Sequence, residues 1–280
     1  MTNKPIALSL VSRKIFLDRP IIMGIVNITP DSFSDGGKFL EAKKAIEHAE
    51  KLVAEGADIL DIGGESTRPG AEPISVEKEI HRVIPVIEAL VKKIKIPISI
   101  DTSKPEVADI ALQAGAQIVN DITGLRDPVM RGIVVKYKAS AIIMHMQGEP
   151  SDMQKNPEYQ DVIGDILDFF WERVRICEEV GIKREKLILD PGIGFGKTLK
   201  HNLAILHNLE KLHALELPLC LGVSRKSFIG QLTENIPAEE RLEGTLAANI
   251  LALANGVQIF RVHDVKSHRK AFAVAEEILK

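Results

Sequence analysis

Cysteine is nearly absent, with only Cys177 and Cys220 in 280 residues. One falls in an expected helix and the other in an expected buried strand, so they read as two free core thiols rather than a disulfide framework. No histidines or cysteines cluster at zinc spacing, which speaks against a zinc centre. Long apolar runs are missing too, and residues 1–20 carry charges throughout. No secretory or membrane-spanning segment is visible, and a reducing, cytoplasmic setting is expected. There is no basic run and the formal net charge is −3. Bulk electrostatics therefore offer nothing to nucleic acid or acidic lipid. No linker or shift of composition divides the chain, and residues 1–280 are expected to form a single domain.

What the chain has instead is one pattern repeated. Residues 187–198 read LILDPGIGFGKT: an apolar run, a carboxylate, then a glycine-rich loop. The run is too short for a helix and does not alternate, so it reads as a strand covered on both faces, as in a parallel sheet. Helical spacing follows the loop. The same order recurs with strands at 21–27, 58–62, 96–101, 117–121, 141–145, 187–190, 219–222 and 258–262. The helices are expected at 40–56, 76–93, 106–114, 129–138, 162–180, 202–213, a helical stretch ending near 254, and 268–279. Eight strand and helix units in this length predict an α/β fold, the (β/α)8 TIM barrel, with a doubly wound open sheet as the runner-up. A short N-terminal hairpin over residues 6–17 should precede the first barrel strand.

Polar residues gather where the strands end. Asn27, Asp61, Asp101, Asn120 with Asp121, His145, Asp190, Ser224 with Lys226, and Arg261 with His263 all lie at or just beyond a C-terminal strand end. In a barrel these ends meet on one face, where the active site is built. Carboxylates and a carboxamide at Asp101, Asn120 and Asp190 suit the paired donors and acceptors of a nitrogen-rich heterocycle such as a pterin or purine. The plainer alternative is that they are solvated or cap helices, Asp101 before TSKPE above all. Arg225, Lys226, Arg261 and His263 follow the last two strands, where barrels often hold phosphate. Ordinary ion pairs are the alternative there.

The glycine loop imitates a P-loop without being one. Pro191 stands where that motif needs its first glycine, and glycines 192, 194 and 196 lack the dinucleotide spacing. Those glycines are expected to let the backbone pass close to a ligand, with Phe195 as an apolar wall. His145 is as readily a packed strand-end residue as a ligand. A hard cation such as Mg²⁺, held by substrate phosphates and one or two protein oxygens, has Asn27 and Asp35 as candidates.

The motifs GIVNITPDSFSDGG (24–37), DIGGESTRPGA (61–71), IDTSKPEVA (100–108), VNDITG (119–124), MHMQG (144–148), LDPGIGFGKT (189–198), GVSRKSFIG (222–230) and RVHDV (261–265) together resemble the dihydropteroate synthase family. The likeness runs in order from about residue 20 to 270. It implies condensation of 6-hydroxymethyl-7,8-dihydropterin pyrophosphate with p-aminobenzoate, and it places the chain among sulfonamide targets. It implies that Asp101, Asn120, Asp190 and Lys226 bind the pterin, with Met144 on the pocket wall and Arg261 against the ring. Asn27, Arg261 and His263 would bind pyrophosphate, with Mg²⁺ near Asn27. Phe33, Pro69, Phe195 and Ser227 would form the p-aminobenzoate pocket. Asp35 and Arg68, on the loops after the first two strands, would gate the site against water. A homodimer is part of the same expectation. A pterin-dependent methyltransferase or a silent pterin-binding paralogue are the rival readings.

Overall fold

The computed structural model describes residues 7–11, 13–28, 38–66 and 71–280, with residues 38–40 as backbone only. A two-stranded hairpin, β1 (Ala7–Ser9) and β2 (Lys14–Phe16), comes first. Eight parallel strands follow: β3 (Ile21–Asn27), β4 (Ile59–Gly63), β5 (Ile98–Asp101), β6 (Ile118–Asp121), β7 (Ser140–Met144), β8 (Leu187–Asp190), β9 (Cys220–Leu221) and β10 (Ile259–Val262). Each pairs with its sequence neighbour, and β10 pairs with β3. A parallel bridge between Leu189 and Leu219 joins β8 to the segment entering β9 and closes the ring. The (β/α)8 barrel and its hairpin are as expected. No described helix is long and apolar enough to cross a membrane.

Period-two alternation sorts these apolar strands into two cores. Ile21, Met23, Ile59, Ile118, Ile142, Ile188, Cys220 and Ile259 fill the barrel interior. Leu8 and Leu10 from the hairpin join them, so the hairpin plugs the N-terminal mouth. Ser140 Oγ and Lys186 Nζ hold it there by donating to Ser9 O at 2.9 and 3.0 Å. The intervening residues, among them Ile22, Leu60, Ile100, Val119, Ile143, Leu189 and Phe260, pack outward against the helices. Burying a side chain of this size contributes about 1.5–3 kcal/mol, which is why the two faces do not exchange.

The helices begin where their caps dictate. Ser75 accepts from Lys78 N ahead of α2 (Val76–Val91), Asp127 from Val129 N ahead of α4 (Pro128–Tyr137), and Asp161 from Ile163 N ahead of α5 (Val162–Glu179). The helices α1 (Lys38–Ala54) and α3 (Pro105–Gln113) complete the first half. Two segments depart from expectation. The stretch expected to be one helix over 202–213 starts earlier, as α6 (Leu199–His207), because Thr198 and His201 form a capping box. It then tightens into a 3₁₀ turn at Leu209–Leu215, after Asn208 bonds back to Ala204 O at 2.8 Å. The stretch after β9 is split into α7 (Ser227–Leu232) and α8 (Leu242–Ala254), before α9 (Val265–Leu279) closes the fold.

Candidate active site

The interior residues fix what lies above them, two positions further along each strand. Above Ile59 stands Asp61, above Ser99 Asp101, above Ile118 Asn120, above Ile142 Met144, above Ile188 Asp190, and above Ile259 Arg261. All six therefore point into the barrel toward its C-terminal mouth. Asp121, one residue out of phase, turns outward. Its carboxylate accepts from Thr123 N, Thr123 Oγ1 and Leu125 N at 2.8–3.0 Å and shapes its own loop.

Arg261 organises the floor of this bowl. Its Nε donates to Asp61 Oδ2 and its Nη2 to Asp101 Oδ2, both at 2.6 Å. Asn120 Nδ2 donates to the same Asp61 oxygen at 3.0 Å. Burial opposes the Arg261 charge, but Asp61 and Asp101 outweigh it and hold the guanidinium firmly protonated. Burial pushes the Asp101 carboxyl up to about 7, against the pull of Arg261. Among the described residues, Asp61 Oδ1 and Asp101 Oδ1 are buried without a hydrogen-bond partner. Unsatisfied buried oxygens of this kind are costly unless a ligand supplies donors.

Asp190 and Lys226 form the opposite wall. Asp190 Oδ1 accepts from Gly192 N at 2.7 Å, and burial raises its pKa while Lys226 opposes the shift. Lys226 donates to Ile193 O and holds its ammonium 4.4 Å from the centre of the Phe195 ring. Burial lowers its pKa to about 8, with Asp190 acting against the fall. Phe195 packs on an apolar patch of Ile122, Met144, Met146 and Met153. An acidic floor, a cationic rim and an apolar shelf thus share one cavity mouth.

The fit to a hard cation rests on Asn27, at the end of β3. A Cβ built on Gly63 would lie 3.7 Å from Asn27 Oδ1 and 3.5 Å from Asp101 Oδ2, so both oxygens border the gap that glycine leaves. No group of three His, Cys, Asp or Glu side chains among the described residues could hold a metal. Asp101 Oδ2 is held by Arg261, which leaves Asn27 Oδ1 as the oxygen to offer an ion that keeps most of its water and takes phosphate oxygens.

A family model for pterin binding enzymes matches residues 23–263. The dihydropteroate synthase of Escherichia coli (strain K12) is 48% identical over 263 residues, covering 94% of this chain and 93% of that protein. The chain belongs to the dihydropteroate synthase family. Membership makes it a transferase of folate biosynthesis. The enzyme of Synechocystis sp. is 47% identical over 261 residues, covering 93% of this chain and 90% of its own. Among solved structures, the Xanthomonas albilineans dihydropteroate synthase with 4-aminobenzoic acid superposes with a TM-score of 0.93 at 44% identity, over 98% of both chains. The same enzyme in complex with 7,8-dihydropteroate gives 0.89 at 42% identity, covering 97% of this chain and 98% of that one.

The geometry bears on several of the alternatives that the sequence leaves open. Asp101 is not a helix cap, because α3 begins at Pro105 with Lys104 at the N-cap position and no side-chain cap bond. Arg225 makes the ordinary ion pair: its Nε and Nη2 donate to Asp264 at 2.9 and 2.6 Å. Ser224 Oγ is engaged with His263 Nδ1 at 2.9 Å. His145 is a packed residue, edge-on to Phe169 with ring centres 5.0 Å apart and bound by Lys197. The loop glycines serve protein rather than ligand, since a Cβ on Gly192 would sit 2.0 Å from His145 O and one on Gly196 2.3 Å from Gln147 O. Ser227 is exposed at the first turn of α7. Phe33, Asp35, Arg68 and Pro69 lie outside the described residues.

Two buried polar residues beside the site have no role assigned from sequence. Asp61 stood among the strand-end residues without a role, although its place two residues after an interior isoleucine was the signal for an inward carboxylate. Lys197 had no role at all.

Proposed function

We propose that this chain condenses 6-hydroxymethyl-7,8-dihydropterin pyrophosphate with p-aminobenzoate, giving 7,8-dihydropteroate and pyrophosphate by a dissociative, SN1-like substitution. The observation that supports this best is the convergence of Asp101, Asn120 and Asp190 inside one barrel mouth with Lys226 and Arg261. An aminopyrimidinone edge presents adjacent N–H donors that a buried carboxylate accepts. The unpartnered oxygen of Asp101 is such an acceptor. Asn120, with its amide nitrogen committed to Asp61, offers its carbonyl oxygen. Met144 walls the pocket and Arg261 lies against the ring.

Chemistry then follows from where charge develops. The bond from the pterin methylene to the pyrophosphate oxygen breaks, and its electron pair leaves with pyrophosphate. Arg261, His263 and Asn27 bind that leaving group. Asn27 would also give an oxygen to Mg²⁺, which when bound supplies positive charge to the phosphate oxygens. Asp101 and Asp190 offset the cationic character left on the pterin. Fixed charges in a dry site are worth far more than the same charges in water. The amine nitrogen of p-aminobenzoate then bonds to the methylene and gives up a proton to the departed pyrophosphate, with no covalent enzyme intermediate. Phe195 and Ser227 would position that second substrate, with Phe33 and Pro69. Asp35 and Arg68 would exclude water. The protein acts as one domain and as a homodimer in this reading.

The test is pyrophosphate release measured with each substrate alone and with both. Release that requires both supports the synthase. Pterin binding by folded protein without release would leave a silent paralogue, and methyl transfer would leave the rival enzyme.

A further inference from the structure

Lys197 takes no part in the chemistry above, yet it is the one lysine among the buried polar residues described, at 3% exposure. Its Nζ lies 2.9 Å from Phe195 O, 3.2 Å from His145 O and 3.0 Å from His145 Nδ1. An ammonium has three donors, and three acceptors account for all of them. They belong to different loops, His145 to the one after β7 and Phe195 to the one after β8.

The loop around Phe195 needs such fastening. It contains neither helix nor strand, and four successive carbonyls are each taken by a side chain, three of them from other segments and one, Lys197, from the loop itself. Lys226 binds Ile193 O, Gln154 binds Gly194 O at 2.6 Å, Lys197 binds Phe195 O, and Tyr159 binds Gly196 O at 2.9 Å. Of the four residues, Lys197 alone is buried as a whole, the others being half-buried or exposed. The carbonyl it holds belongs to the residue whose ring forms the apolar shelf.

We infer that Lys197 is a positioning residue for the second-substrate subsite: by clamping the Phe195 carbonyl to His145 it sets the ring against which an aromatic amine rests. The inference builds on the proposed role of Phe195. Burial pushes the Lys197 pKa well down. Burial, with Lys197 beside it, drives the His145 pKa down to about 2, so the imidazole is neutral and its Nδ1 accepts. An apolar side chain of the same length would cost less to bury than this ammonium. A lysine kept here only for packing would be a poor solution; one kept to fix a carbonyl is not.

Lys197→Met retains the stem and removes the donors. The Michaelis constant for p-aminobenzoate should rise about ten-fold, the worth of one charge-assisted hydrogen bond. Turnover at saturation and the affinity for pterin pyrophosphate, measured by calorimetry, should hold. An unchanged Michaelis constant overturns the inference, as does an equal loss of pterin affinity. Phe195→Ala is run beside it. If that variant leaves the same constant unmoved, the subsite reading itself has failed; if it raises the constant while Lys197→Met does not, only the clamp has failed. Should Lys197→Met not fold, Tyr159→Phe frees the neighbouring Gly196 carbonyl from a half-buried position. A smaller rise in the constant then supports the clamp, and no rise refutes it.

Discussion

Arg261 Nε and Asp61 Oδ2, 200 residues apart in sequence, meet at 2.6 Å inside the barrel. The carboxylate has no exposed surface and also holds Asn120, so two side chains proposed to face the pterin hang on one oxygen. Asp61→Ala should cost roughly 3–5 kcal/mol of stability, because a partly buried guanidinium loses a partner. Urea denaturation measures this, and a loss below about 1 kcal/mol, the worth of an exposed pair, would show that Asp101 alone suffices. Asp61→Asn keeps the shape and should lower turnover by about 100-fold through misplacement of Arg261.

Lys226 gives the pH dependence. Its pKa of about 8, set chiefly by burial, means that the ammonium is charged below that pH and neutral above it. The contact with the Phe195 ring requires the charge. kcat/KM for pterin pyrophosphate should therefore fall as pH rises through about 8. In Lys226→Arg the guanidinium stays protonated, so that basic limb should move upward even if the rate is lower. A limb fixed near 8 in the variant would assign it to another group.

Much of this was open to reading in the sequence, and the reason is physical. Short apolar runs ending in polar residues can only be strands covered on both faces, and eight of them make a barrel. Period two then separates Asn120, which points in, from Asp121, which points out and ties its own loop. The pairing of Arg261 with Asp61 was not legible, since it depends on barrel closure between β10, β3 and β4. Nor could adjacent cations be told apart: Arg225 is spent on Asp264 while Lys226 faces the site. The glycine loop misled because glycine at a close approach looks the same whether the neighbour is a ligand or the chain's own carbonyl.

That distinction can be measured. Gly192 has φ +65° and no room, with His145 O 2.0 Å from the position of a Cβ. Gly194 has φ +83°, but a Cβ there would meet only the flexible stem of Lys226 at 3.3 Å. Both alanine variants bear the left-handed penalty of about 1–2 kcal/mol. Gly192→Ala should lose at least about 2 kcal/mol more than Gly194→Ala, since backbone must shift. Gly194→Ala should instead disturb Lys226 and weaken pterin pyrophosphate binding. Equal thermal stability of the two variants would contradict the packing described.

Asn27 carries the prediction about metal. Its carboxamide oxygen borders the gap over Gly63 beside Asp101, and no group of three His, Cys, Asp or Glu among the described residues could hold a metal. If that oxygen helps to hold Mg²⁺ against the substrate's phosphates, chelation with EDTA should suppress pyrophosphate release and added Mg²⁺ should restore it. Asn27→Ala should then raise the Mg²⁺ concentration for half-maximal release by about ten-fold, the lower end of the cost of losing a supporting group at a metal. The Michaelis constant for p-aminobenzoate should not move, because the subsite proposed for that substrate is at Phe195 and not at Asn27. A variant with lowered turnover but an unaltered Mg²⁺ titration would mean that Asn27 donates its amide N–H to pyrophosphate directly and holds no metal.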